Sequence, residues 1–118
     1  MLADFRAFRI AKEFYWLCRT QRVPPFIHSQ LVRASSAIAL NLAEGSGRAT
    51  PNDQRHFYTI ALGSLRECEA IIELENLSEP VLREKLDALG CIVYALAHKN
   101  RSKLIQAPAT KSDPHAKR

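Results

Sequence analysis

Pro80-Val81-Leu82-Arg83-Glu84-Lys85-Leu86-Asp87-Ala88-Leu89-Gly90-Cys91-Ile92-Val93-Tyr94-Ala95-Leu96 is the stretch that decides the fold class. Leu82, Leu86, Leu89, Val93 and Leu96 recur at alternating steps of four and three, which places them along one stripe of an α-helix. Upstream, Tyr58, Ala61, Leu65, Cys68 and Ile72 repeat the same alternation. Nearer the start, Ile10, Phe14 and Leu17 run beside Phe8, Ala11, Tyr15 and Cys18. No stretch alternates with the two-residue period of a strand. Helix-boundary chemistry separates the stripes: Val23-Pro24-Pro25, then Gly45-Ser46-Gly47 with Thr50-Pro51, then Ser78-Glu79-Pro80. Thr50 suits an N-cap, Pro51 a first helical position and Asp53 a box-like start, with Gly45 and Gly47 as the preceding stop and Ser78 as the cap of the last helix. The spacing predicts helices over 4–22, 25–44, 51–77 and 79–104. Short connections between long helices favour an all-α, antiparallel up-down-up-down four-helix bundle over 1–105, followed by a flexible basic tail over 106–118.

The second helix departs from a single stripe. Ala37-Ile38-Ala39-Leu40-Asn41-Leu42-Ala43 is apolar on nearly every side, so it is expected to be covered on more than one face, most simply by self-association. Gly63 and Ser64, in mid-helix, are expected to let Ala34, Ser35 and Ser36 approach closely.

A chain of 118 residues with 47% hydrophobic content is large enough for one core without a metal or disulfide. Cys18, Cys68 and Cys91 are odd in number, widely spaced and form no C-x-x-C pair, which reads as reduced core thiols of a cytoplasmic protein. The first residues meet charge at Asp4 and Arg6 and contain no signal-peptide core. The longest charge-free apolar runs fall well short of the roughly 20 residues that span a bilayer, so no membrane partner is expected.

The net charge is +5, and it is unevenly spread: +4 over residues 1–55, −4 over 56–98 and +5 over 99–118. Antiparallel folding would gather Arg6, Arg9, Lys12, Arg48, Arg55, Lys99, Arg101 and Lys103 near one pole. One reading is an ordinary solvated surface whose last cations complement the helix dipole. Another is a footprint for phosphate backbones, and a third is a basic face for an acidic protein.

Catalytic chemistry finds little support. A di-iron bundle needs Glu-x-x-His pairs, and the chain has none; Asp53-Gln54-Arg55-His56 sits at a helix start, where Asp53 is better explained as a capping residue. His28, His56, His98 and His115 fall on four different segments, and Gly45-Ser46-Gly47-Arg48 lacks the ending of a phosphate loop. Neither cofactor nor catalytic residue is therefore expected. Asn41, Glu44, Arg48, Asp53, Arg55 and Tyr58 form the densest polar group around the second turn. Its structural roles would be a Glu44–Arg48 pair, an Asp53 cap and an Asn41 hydrogen bond between helices.

Three stretches carry a resemblance: Arg33-Ala34-Ser35-Ser36-Ala37-Ile38, Asn41-Leu42-Ala43-Glu44-Gly45-Ser46-Gly47-Arg48, and Arg55 through Glu67. They closely resemble the four-helix bundle protein family, also called the 23S rRNA intervening-sequence protein family. Some bacteria encode members within intervening sequences of 23S rRNA genes, and the family is similar to the accessory variability protein of diversity-generating retroelements, a basic pentameric barrel. The resemblance implies a homopentamer, with RNA or an RNA-processing protein as partner, and it implies no catalysis. It carries Asn41, Glu44, Gly45, Gly47 and Arg48 over as a signature turn, and Arg55, Tyr58, Gly63, Ser64 and Glu67 as part of helix three. His56 and the short segment from Ile71 to Pro80 depart from the family pattern.

The resulting expectation is a non-enzymatic oligomer that binds structured nucleic acid, preferably RNA, through phosphate and shape. The aromatic residues of the first helix read as core, so base stacking is not expected. The alternative is a scaffold or accessory subunit for a nucleic-acid-processing protein, with no direct RNA role.

Overall fold

The computed structural model describes residues 1–105, with side chains through residue 99. A short 3-10 turn, Leu2–Asp4, precedes α1 (Arg6–Arg19), α2 (Pro25–Ser46), α3 (Pro51–Leu74) and α4 (Pro80–Ile105). No strand occurs among the described residues. The tail expected over 106–118 lies outside them, as do the side chains of Arg101 and Lys103.

Local chemistry sets each boundary. α1 ends at Arg19, short of the expected residue 22, because the Thr20 hydroxyl and Gln21 amide both donate to the Leu17 carbonyl, at 2.9 and 3.1 Å. His28 on α2 reaches back to the Arg19 carbonyl at 2.9 Å, which ties the second helix to the end of the first. Thr50 caps α3 by accepting from the Asp53 amide at 3.2 Å, and Pro51 occupies the first turn, as its fixed φ favours. At the start of α4 the capping acceptor is Glu79 rather than Ser78: its carboxylate takes the Leu82 amide at 2.7 Å.

The stop of α2 differs from the expected glycine mechanism. Gly47 ends α2 at φ −92°, a conformation open to any residue, and Gly45 lies inside the helix. Left-handed backbone occurs instead at Asn76, φ 52°, just past α3. There the Leu77 amide returns to the Ile72 carbonyl at 3.0 Å, a six-to-one closure of the kind that terminates helices.

The core runs the length of the helices. Phe14 of α1, Leu31, Ile38 and Leu42 of α2, Ile72 of α3, and Leu82, Leu89 and Val93 of α4 are fully buried. Each helix packs on its neighbour in sequence, and α1 also packs on α4, which makes a four-helix ring around that core. The buried Ser35 hydroxyl donates to the Val32 carbonyl at 3.1 Å, so the core's polar residue is satisfied.

The cysteines divide. Cys18 and Cys68 are buried, whereas Cys91 is exposed, contrary to the expectation of three core thiols. Burial pushes the Cys18 thiol up to about 12, against a smaller opposing effect of its hydrogen bond with Ser35, and burial also raises Cys68. A thiol reagent near pH 8 should therefore modify one cysteine per native chain rapidly and all three after denaturation. Because both thiols titrate above their ordinary value of 9.0 in the fold, their contribution to stability should be full below that pH and be lost as pH rises toward 12. Fast modification of two or three native thiols would contradict this packing.

Candidate nucleic-acid interface

The signature turn is built largely for its own structure. Glu44 and Arg48 pair at 2.8 Å across the end of α2, as expected, and the Arg48 guanidinium stands 4.7 Å from the Phe57 ring centroid. Gln54 donates to the Arg48 carbonyl at 3.2 Å, and Arg55 donates to the Asn52 side chain at 3.3 Å. Asn41 does not bridge helices: its amide donates to the Ala37 carbonyl of its own helix at 2.9 Å.

Gly45 is the point of close approach. A Cβ built there would lie 2.7 Å from the Tyr58 ring and 3.2 Å from Phe57 Cβ, so only glycine fits without movement. Tyr58 is buried, which raises its phenol's pKa, and its ring sits 6.4 Å from that of Phe5. The start of α1 is thereby brought beside the start of α3. Gly63 does not serve the tight packing expected of it. It faces outward, and nothing lies within 4 Å of a Cβ at that position, while its neighbour Ser64 is half-buried.

Arg6, Arg9 and Lys12 are exposed along α1, and Lys99 is exposed near the end of α4. Arg9 donates to the Ala3 carbonyl at 3.2 Å. Ion pairs among the described residues use the Met1 amine, Arg33, Arg48, Arg83 and Lys85, so Arg6, Arg9, Lys12 and Lys99 are among the cations outside them. Of the cations expected at the pole, Arg48 is thus already neutralised locally, and Arg55 is half-buried.

Two apolar features are exposed in the single chain. Trp16 is 54% exposed, against the expectation that the aromatic residues of the first helix are core. Its ring lies edge-on to Tyr15 at 5.7 Å and under the Arg19 guanidinium at 4.8 Å. Trp16 lines a groove of about 700 Å³ between α1 and the start of α4, with Arg9, Lys12, Glu13, Leu17, Val81 and Lys85. On the opposite pair of helices, Leu40 of α2 is 66% and Ile60 of α3 41% exposed, while Ala37, Ala39 and Ala43 around Leu40 are half-buried.

Among the described residues no group of three His, Cys, Asp or Glu side chains is placed to hold a metal. No described helix is long and apolar enough to cross a membrane. These features define an all-α, four-helix protein whose best surface candidates are cations and exposed apolar residues. The chain belongs to the 23S rRNA-intervening sequence protein family, whose model matches residues 5–98 and so reaches all four helices. No match was found among curated proteins or among solved structures.

Proposed function

We propose that the protein is a non-enzymatic, self-associating antiparallel bundle that binds structured RNA through phosphate contacts at a basic pole. The observation that carries this reading is that Arg6, Arg9, Lys12 and Lys99 are exposed and make no ion pair among the described residues, as is also true of Arg19, Arg22 and Arg66 elsewhere on the surface, on a chain whose net charge is +5. Antiparallel order is supported by the Lys85–Glu13 bridge at 2.7 Å, which joins the start of α4 to the later half of α1. Arg33 and Glu67, 4.0 Å apart, relate α2 and α3 in the same sense. In that order Arg6, Arg55 and Lys99 share an end, and Arg101 and Lys103 follow Lys99 on the same helix. Arg48 contributes position more than charge. The family's name associates it with rRNA, which favours RNA over other polyanions.

Self-association rests on the uncovered Leu40 and Ile60 face, and a homopentamer is the order that the family resemblance suggests. Repeating the pole around a ring would multiply phosphate contacts and steepen the salt dependence. The Arg6→Glu, Lys99→Glu double variant should keep its helix content and its mass by light scattering. Its affinity for a labelled structured RNA should fall at least about tenfold, since two phosphate contacts become repulsive. Unchanged affinity in the folded variant would overturn the assignment of this pole.

A further inference from the structure

In the groove between α1 and the start of α4 an exposed aromatic side chain lies among several cations. Trp16, Leu17 and Val81 supply its apolar wall, and Arg9, Lys12 and Lys85 its positive charge. Glu13 is the opposing carboxylate, and it is tied to Lys85 at 2.7 Å. The adjoining depression toward the pole adds Arg6 as a cation and Glu84 as an anion. Arg19, over the indole, adds another cation. The positive groups therefore outnumber the carboxylates along the whole strip.

We propose that this groove seats an unpaired base of an RNA strand, stacked against Trp16, with its flanking phosphates held by Arg9 and Lys12. The proposal rests on the RNA-binding reading and adds to it a site for single-stranded RNA. Arg9, Lys12 and Trp16 follow one another at helical steps of three and four, so they share one side of α1 over about 10 Å of its axis. That side runs from the basic end toward the groove, which makes the groove continuous with the surface assigned to phosphates. A flat π-face beside cations suits a nucleobase joined to phosphates, and stacking of this kind tolerates any base. An acidic peptide would satisfy the cations but would leave the indole face matched only by general apolar contact.

Trp16 is the chain's single tryptophan, so its emission reports on this groove alone. The full chain is titrated with two RNAs of the same stem, one blunt-ended and one carrying a short unpaired adenosine overhang. The overhang RNA should quench Trp16 and bind more tightly than the blunt stem. Trp16→Ala should weaken its binding by roughly 5- to 150-fold, the usual range for loss of one stacked base, while leaving the blunt stem unaffected. Trp16→Phe should recover much of the loss, because a ring is restored.

Equal binding of both RNAs with no quenching would overturn the stacking site and leave the basic-pole reading intact. Failure of both RNAs to bind would sink the two together. Emission that shifts blue with protein concentration alone would mean that a second copy covers the groove. A blue shift with an acidic, leucine-bearing peptide and no response to RNA would assign it to a protein. Either of these last two results would overturn the proposal.

Discussion

Phe14→Ala should lower the unfolding free energy by about 3–5 kcal/mol, because the ring is fully buried where α1 meets the rest of the core. For a single domain of this size that is a large share of the usual total of about 5–15 kcal/mol. The cost combines lost apolar transfer with the cavity left behind, and long helices held at both ends collapse poorly into such a gap. Urea unfolding followed by circular dichroism gives the number directly, and an unchanged slope would show that the unfolded reference has not moved. A loss below about 1 kcal/mol would mean that Phe14 is not a core residue in solution.

Gly45→Ala is the second large effect, and it discriminates between two glycines separated only by Ser46. The new methyl would fall 2.7 Å from Tyr58, whose ring is itself confined by burial and by Phe5 at 6.4 Å. Overpacking at such a site costs about 1–3 kcal/mol, here offset only slightly by alanine's better helix propensity. Gly47→Ala should stay within about 0.5 kcal/mol of the parent, since its φ of −92° suits any residue and a Cβ would meet nothing closer than the Glu44 carbonyl at 3.7 Å. Comparable losses at the two positions would contradict the geometry of the turn.

The same pair of glycines shows what periodicity conveys and what it omits. The α4 stripe was legible because Leu82, Leu86, Leu89 and Val93 are all buried where the spacing placed them. By the final turn the stripe has drifted: Leu96 is half-buried and Ala97 is buried, as expected when a helix turning every 3.6 residues is read with a period of 3.5. Trp16 and Cys91 depart from what their residue type suggests but not from what their position suggests. Each lies two positions from a buried neighbour on either side, Phe14 and Cys18 for the first and Leu89 and Val93 for the second, which turns it toward solvent. Their positions carried that signal, and their apolar character obscured it.

Close approach between helices was not legible at all. Gly63 sits mid-helix and suggested tight packing, yet it faces outward, while Gly45 looked like a helix stop and proved to be the contact point. Nothing in a local sequence window distinguishes the two, because the deciding atoms belong to Tyr58 and Phe57 on another helix. Asn41 failed for a related reason. An amide can reach across helices or back to the carbonyl four residues earlier, and only the packed geometry selects between them. The Glu44–Arg48 pair and the Thr50 cap were readable because both partners lie within one helical turn.

For the candidate site, the sequence located the excess of positive charge but could not separate available cations from committed ones. By charge alone Arg48 is equivalent to Arg6, but in the fold its guanidinium is held by Glu44 and lies over the Phe57 ring. Arg6, Arg9, Lys12 and Lys99 therefore carry more of the proposed interface than a simple count of basic residues would suggest, and Trp16 adds an apolar element that charge arithmetic does not register.

Fluorescence anisotropy of the unmodified protein with a structured RNA and a DNA duplex of matched length, across a salt series, tests the central claim most directly. The account predicts RNA binding near or below about 1 µM at physiological salt, preference for RNA over the duplex, and a logarithmic salt slope steep enough to report several phosphate contacts. Absence of RNA binding even at low salt would contradict it and would leave the exposed Leu40 and Ile60 face, rather than the basic end, as the surface through which this bundle acts.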